Sequence, residues 1–328
     1  MKNIHLQILI AGTLLFTSCS ETKTTSTQST ETNAKEEILG QFPEIPRDEI
    51  VAESDSLSQK VYTELQNRYK AQLSKLNSLT KANGAQLVIT FLTPEVGNSL
   101  TQINKEGKGL IEGYCKELNI PYFDLTTKIA DMDPAVITQI PKDGHWSKEG
   151  AKVVANELAP IIKQFGNVKS SATFAQKPEV WGDLTPNTDE ISDGGKGLPY
   201  RVKSNAQGFR MDTDLATTKT KQRILLMGDS EFYFPFLDNK FTGSAILQDM
   251  FPDKEIINSA MWGYSIDDYI SLYNEKAKFA EPDVIIVEAN GNDILDLYFS
   301  HRNRFSRVKQ PKKPTALEEQ YYKAKFQK

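Results

Sequence analysis

Short apolar segments of strand length alternate with helical segments along most of this chain. Strands are predicted at residues 87–92, 121–125, 223–227, 255–258 and 283–287. Helices are predicted at residues 56–81, 100–118, 148–165, 245–251 and 266–279, where apolar side chains recur at helical spacing. Because a crossover helix brings the next strand back parallel to the last, this alternation predicts an α/β fold. We expect a three-layer sandwich around a parallel sheet of about five strands.

The first 18 residues are typical of a lipoprotein signal peptide. Lys2 is followed by an apolar stretch at residues 8–16 and by two small residues before Cys19. A transmembrane anchor is the alternative, but the apolar stretch is shorter than the roughly 20 residues that a membrane-spanning helix needs. Cleavage would leave Cys19 as the first residue, carrying a lipid. We therefore expect an exported lipoprotein anchored to the bacterial cell envelope, at its periplasmic face or at the cell surface.

The rest of the chain divides by composition. Residues 19–47 begin with a run rich in Ser and Thr that buries too little apolar surface to fold, so we expect a flexible tether. Residues 48–300 are predicted to form one domain with an insertion at about 166–205, and residues 301–328 a basic, solvated tail. An anionic glycan or lipid contact is the alternative for the tail. The net charge of −4 argues against nucleic acid as a partner.

Three of the predicted strands end at residues suited to acyl chemistry. Ser230 follows the first of them in a Gly-Asp-Ser tripeptide, Gly263 follows the second, and Asn292 follows the third. Parallel strands present their carboxyl ends at one edge of the sheet, where active sites collect. A hydroxyl, a backbone N–H and a carboxamide would then surround one point, which is the composition of a nucleophile beside an oxyanion hole. Each of these residues is also ordinary turn chemistry.

One histidine in the globular part of the chain has an aspartate two residues before it. His145 follows Asp143, and Ser147 is placed to cap the helix that comes next. The carboxylate of Asp143 would orient the imidazole and leave its other nitrogen free as a base. A capping loop whose histidine only packs is the alternative. A metal site is disfavoured because no second histidine is present nearby.

These residues resemble the SGNH hydrolase superfamily, the GDSL-type esterases. Residues 228–230 are similar to its first block, Gly263 to its glycine block, and residues 290–293 to its Gly-x-Asn-Asp block, with Asn290 in place of the glycine. The family usually carries its Asp and His after the serine, whereas here they come before it. That order is similar to the circularly permuted domain of the periplasmic alginate O-acetylation proteins.

The resemblance implies a flavodoxin-like sheet in permuted order and a Ser-His-Asp enzyme without a cofactor. Ser230 would attack an acetyl group, His145 would take its proton, and an exported polysaccharide or an acylated small molecule would be the substrate. Transfer and hydrolysis both remain open. So does a catalytically silent polysaccharide-binding or assembly lipoprotein, which Asn290 favours.

Four aromatic residues near the proposed site are candidates for stacking on a sugar, with core packing as the alternative for each. They are Trp146, Trp262, Tyr264 and Tyr233.

Overall fold

The structure is a computed structural model that describes residues 55–95, 100–299 and 315–326. The predicted signal peptide of residues 1–18, the lipid attachment site at Cys19 and the tether of residues 19–47 lie outside this part of the chain. Among the described residues, none of the helices combines the length and the apolar character that crossing a membrane requires.

Strands and helices alternate as the sequence predicts. The strands are β1 (Gln86–Phe91), β2 (Tyr122–Asp124), β3 (Thr138–Gln139), β4 (Asp143–Trp146), β5 (Asp189–Ser192), β6 (Tyr200–Lys203), β7 (Gln222–Met227), β8 (Lys254–Asn258) and β9 (Val284–Ala289). The helices are α1 (Ser56–Ala82), α2 (Gln102–Leu118), α3 (Thr126–Ile129), α4 (Pro134–Ile137), α5 (Lys148–Gln164), α6 (Ser230–Tyr233), α7 (Gly243–Met250), α8 (Ile266–Glu275), α9 (Asp293–Phe299) and α10 (Ala316–Phe326).

Five strands form one parallel sheet in the order β2-β1-β9-β7-β8. If the strands are counted from β7, the order becomes 2-1-3-4-5, which is the order of flavodoxin-like doubly wound sheets. The predicted α/β fold and its permuted order are therefore confirmed. The switch point of such a sheet lies between its first and third strands, which are β7 and β9 here.

Apolar side chains cover both faces of the sheet. Along β7, Leu225 and Met227 point to one face, while Ile224 and Leu226 point to the other. The first face packs against α1, α2, α8 and α9, and the second against α5 and α7. The strands are uniformly apolar because helices exclude water from both sides.

The carboxyl-terminal segment differs from the prediction. Residues 316–326 form helix α10, which packs against α1, and Tyr321 is 1% exposed. Glu318, itself buried, forms an ion pair with Arg68 at 2.8 Å. The prediction of a solvated tail is wrong for this helix, because its contacts are made with residues some 250 positions earlier. The basic residues 302–313 lie outside the described part.

The long connection between α5 and β7 contains an antiparallel hairpin, β5–β6. Its tip is the glycine-rich segment 193–197, and its strands expose mostly polar side chains. The domain boundaries and the extent of the insertion stay predictions.

Candidate active site

Asp143 and His145 lie on β4, a short strand that pairs with β3. His145 Nδ1 is 2.5 Å from Asp143 Oδ1, and the backbone N–H of His145 donates to the same oxygen at 2.9 Å. A carboxylate at Nδ1 holds the proton on that nitrogen and leaves Nε2 as the free base. The two side chains are 20% and 9% exposed, so the pair is shielded while the imidazole still reaches the surface.

Two aromatic rings fix the orientation of the His145 ring. Trp262 packs against it edge-on with ring centroids 5.5 Å apart, and Phe236 lies 6.1 Å away. The two aromatic rings also contact each other, at 5.6 Å. Phe236 lies in the segment after β7 and α6, and Trp262 lies in the turn after β8. The segments that follow these two neighbouring strands therefore both contact the imidazole.

Ser230 begins helix α6 in the turn after β7. The carboxylate of Asp229 caps this helix by accepting from the backbone N–H of Glu231 at 2.9 Å. Helix α6 packs against β4, and Ser230 is partly exposed. Gly228 is required by space, because a Cβ there would lie 2.7 Å from Glu288 Oε2. The turn thus brings the serine to the same side of the sheet as the Asp143–His145 pair.

Asn292 lies in the turn after β9, and the side chain of Asn290 holds this turn through hydrogen bonds. Asn290 accepts from the Asn292 backbone N–H at 3.1 Å and donates to Glu288 at 3.1 Å and to Asp229 at 3.3 Å. The side-chain amide of Asn292 donates to Asp296 Oδ2 at 2.8 Å. A carboxamide nitrogen carries two hydrogens, so a second donor remains for a ligand.

Asn104 on α2 is a supporting residue that the sequence analysis missed. Its Oδ1 accepts from the Gly291 backbone N–H at 2.7 Å, and its Nδ2 donates to Glu95 at 2.8 Å. The helix comes this close because Gly107 faces Gly291: a Cβ on Gly107 would lie 2.5 Å from the Gly291 Cα. No local pattern marks Asn104, since it is a single polar residue on the inward face of an amphipathic helix.

Gly263 lies in the turn after β8 with a φ of 76°. This left-handed conformation favours glycine. Met261, two residues earlier, donates its backbone N–H to the Gly228 carbonyl at 3.1 Å, which ties this turn to the one that carries Ser230.

A cavity of about 500 Å³ lies at this edge of the sheet. The predicted site residues that line it are Asp143, His145 and Asn292, and the additional ones include Asn104, Glu231 and Asn290. The structure therefore brings the imidazole of His145, the carboxylate of Asp143 and the carboxamide of Asn292 together, next to the helix that starts at Ser230.

Buried carboxyl groups lie beneath this cavity. Burial, followed by the charge of Asp229, raises the pKa of Glu231 and of Glu288 well above its usual value. The same two causes raise the pKa of Asp293. Carboxyl oxygens of Asp229, Asp293 and Asp296 lie within 4.8 Å of one another and could approach a cation. Both oxygens of Asp229 already accept hydrogen bonds, one from the Glu231 backbone N–H and the other from Asn290 Nδ2.

Of the four aromatic candidates, only Trp262 is placed to meet a ligand. Trp146 and Tyr264 have no exposed surface, and Tyr264 donates its hydroxyl to Asp183 at 2.6 Å. Tyr233 is buried below the guanidinium of Arg210, 4.5 Å from its ring centroid. For these three residues the sugar-stacking prediction gives way to core packing, because a side chain with little or no accessible surface cannot stack on a ligand. Trp262 is half-buried beside His145.

Comparison with known proteins gives likenesses in fold. No protein-family model and no curated protein sequence matches the chain. The O-acetyltransferase domain of Pseudomonas putida AlgJ is 15% identical, with 72% of this chain and 85% of that one covered and a TM-score of 0.44. Pseudomonas aeruginosa AlgX is 18% identical, with 69% and 57% covered and a TM-score of 0.41. Bacillus cereus PatB1 is 12% identical, with 71% and 91% covered and a TM-score of 0.35.

These matches agree with the predicted resemblance as a likeness in fold. At such identities and TM-scores they give no information on the reaction, so the function has to be inferred from the site itself.

Proposed function

We propose that this chain is a serine enzyme of the SGNH type that moves O-acyl groups, acetyl in particular, on an exported or cell-surface polysaccharide. The observation that supports this most is the short hydrogen bond between His145 and Asp143 in a cavity that also contains Asn292. Because the helix that starts at Ser230 packs against the strand of His145, a hydroxyl, a base and a donor are available at one edge of the sheet.

In the proposed reaction, Ser230 Oγ attacks the acyl carbonyl while His145 Nε2 takes its proton, and Asp143 stabilises the imidazolium. The carbonyl oxygen becomes an oxyanion that the backbone N–H groups of Ser230 and Gly263 and the side chain of Asn292 receive. When the intermediate collapses, the leaving alcohol takes the proton from His145. An acyl-serine remains.

The second half of the reaction repeats these steps with a new nucleophile. His145 takes a proton from a sugar hydroxyl or from water, the oxygen attacks the acyl-serine, and Ser230 recovers its proton as it leaves. Exclusion of water decides between transfer and hydrolysis. The half-buried Trp262 beside His145 offers an apolar face to a sugar ring, which favours a carbohydrate acceptor.

We further propose that the mature chain is a lipoprotein attached through Cys19. The amino-terminal segment supports this through its charge, its short apolar stretch and the small residues before the cysteine. Mass spectrometry of the detergent-extracted protein tests it: a diacyl or triacyl mass on Cys19 is expected, and an intact Met1 in the envelope fraction would contradict it.

The alternative of a catalytically silent binding protein was favoured by Asn290, which stands where the SGNH family has a glycine. The φ angle of Asn290 is not positive, so the backbone conformation at this position does not require a glycine. Its side chain also supports the Asn292 turn from within.

The test is formation of an acyl-enzyme. The full chain in detergent is incubated with p-nitrophenyl acetate, and release of nitrophenol is followed together with the mass of the peptide that contains residue 230. We expect release with transient acetylation of Ser230, and loss of both in Ser230→Ala. Ser78→Ala is the matched control, because Ser78 is an exposed serine on α1 whose hydroxyl donates to Ser74. Equal release by wild type and Ser230→Ala would contradict the proposal.

A further inference from the structure

The glycine-rich segment of residues 193–197, here called the tip loop, reaches the Asp143–His145 pair from the far end of the β5–β6 hairpin. Lys196 Nζ lies 3.8 Å from Asp143 Oδ2, the carboxylate oxygen that His145 does not use. Lys142, next to Asp143 in the chain, donates to the Gly197 carbonyl at 3.3 Å. Both lysines therefore join the tip loop to the strand that carries the base.

The tip loop also contacts the rings that frame the imidazole. A Cβ at Gly194 would lie 2.8 Å from Phe236 Cε1 and 3.7 Å from Trp262 Cη2, so the loop backbone rests directly on them. The conformation of the loop is internally fixed, because Asp193 accepts from the Gly195 N–H at 2.8 Å with its side chain and from the Lys196 N–H at 3.0 Å with its carbonyl.

The base of the hairpin is anchored to the loop that contains Phe236. The Arg201 backbone N–H donates to Asp238 at 2.7 Å, and the Lys203 backbone N–H donates to Asn239 at 3.2 Å. These hydrogen bonds join the hairpin to the Phe236 loop. A displaced hairpin would therefore disturb the Phe236 contact with His145 and the Lys196 contact with Asp143 together.

We propose that the tip loop is a positioning element of the acyl-transfer site, in which Gly194 seats the Phe236 and Trp262 rings against His145 and Lys196 holds the free oxygen of Asp143. The inference rests on the proposed function. Lys196 is 50% exposed and makes its contact with Asp143, so it acts through that carboxylate. A role of this kind changes the rate of the chemical step and leaves substrate binding unaltered.

Two pairs of variants of the full chain test this. Gly194→Ala is compared with Gly195→Ala: both glycines have positive φ, but a Cβ at Gly195 meets nothing within 4 Å, so the two variants share the backbone strain and differ in the ring contact. We expect Gly194→Ala to lower kcat about tenfold, since small misplacements of a base are costly. Gly195→Ala carries the backbone strain without the ring contact, so it is the reference against which the loss in Gly194→Ala is measured.

Lys196→Met is compared with Lys196→Arg, which keeps the charge. We expect a loss of about two- to fivefold in kcat for Lys196→Met, the range that corresponds to a half-exposed ion pair, with KM unchanged and with recovery in Lys196→Arg. A rise in KM at constant kcat would show that the loop binds substrate and would overturn the proposal.

A spectroscopic measurement separates this inference from the proposed function. The low-field proton resonance of the His145 Nδ1–H, assigned by its loss in His145→Gln, should shift or broaden in Gly194→Ala and Lys196→Met and remain in place in Gly195→Ala. If the wild-type protein shows no acyl activity, the proposed function is wrong. The resonance of the His145 Nδ1–H then decides alone whether the tip loop positions His145. An unchanged resonance in both Gly194→Ala and Lys196→Met would overturn it.

Discussion

Glu288 offers a direct test of whether burial keeps a carboxyl group beneath the site protonated. It lies on β9 with no exposed surface, and it accepts from the Asp229 backbone N–H at 3.2 Å and from Asn290 Nδ2 at 3.1 Å. Burial, then the charge of Asp229, raises its pKa well above the ordinary value. In the unfolded chain the same group titrates near a pKa of about 4.3.

This difference makes folding depend on pH in a defined direction. Between the unfolded-state pKa and the raised folded-state pKa of Glu288, the folded protein binds one proton more than the unfolded chain. The free energy of unfolding therefore falls by about 1.4 kcal/mol for each pH unit in that window. It is greatest at the acidic end and decreases as the pH rises.

Glu288→Gln removes the titration and keeps an amide donor where the protonated acid has its O–H. One of the two acceptor positions is lost, which costs about 1 kcal/mol at every pH and leaves the slope unaffected. We expect urea unfolding, followed by circular dichroism at a series of pH values above the unfolded-state pKa, to give a slope that is less negative in the variant by up to about 1.4 kcal/mol per pH unit.

The control is Glu149→Gln, an exposed glutamate on α5 paired with Lys152, which should leave the slope unchanged. Equal slopes in wild type and Glu288→Gln would refute the reasoning, because Glu288 would then be ionised in the folded protein.

Three further predictions concern residues away from Glu288. Asn104→Ala should lower kcat by about tenfold or more, because the turn at Gly291 loses the hydrogen bond that anchors it and the Asn292 donor is misplaced. Gln102→Ala, at an exposed position on the same helix, is the control. Equal kcat values for Asn104→Ala and the wild type would contradict this prediction. Tyr321→Ala should lower the free energy of unfolding by about 3 kcal/mol through loss of packing between α10 and α1, with the activity of the folded fraction unchanged. Cys115 should resist alkylation in the folded state, since burial raises the pKa of its thiol to about 12, and should react after unfolding in urea; rapid labelling of the native protein would contradict this.

The sheet could be predicted because its signals are local. Each apolar run from Ile224 to Met227 or from Val284 to Val287 specifies a strand buried on both faces, whichever strand it pairs with. The N-cap at Ser147 was likewise readable, and its hydroxyl accepts from the Gly150 N–H at 3.1 Å. The pairing of Asp143 with His145 followed from their spacing.

What the sequence did not reveal depends on contacts between distant residues. Hairpin β5–β6 is polar and exposed, so it lacks the apolar alternation that marks a strand. Glu318 and Tyr321 are the buried residues among those described in helix α10, and its docking depends on Tyr321 and on the pairing of Glu318 with Arg68. Burial of Trp146 and Tyr264 could not be distinguished from exposure at a site, because aromatic side chains serve both purposes.

The bare contact between Gly107 and Gly291 joins the beginning of the folded chain to its end. His145 and the helix that steadies the Asn292 turn come from the first half of the sequence, whereas Ser230 and the turn itself come from the second. For the acyl-transfer reaction proposed above, the first half of the chain would therefore be inert by itself. The proposed nucleophile and the complete set of proposed oxyanion donors are present only after residue 292 has been synthesised.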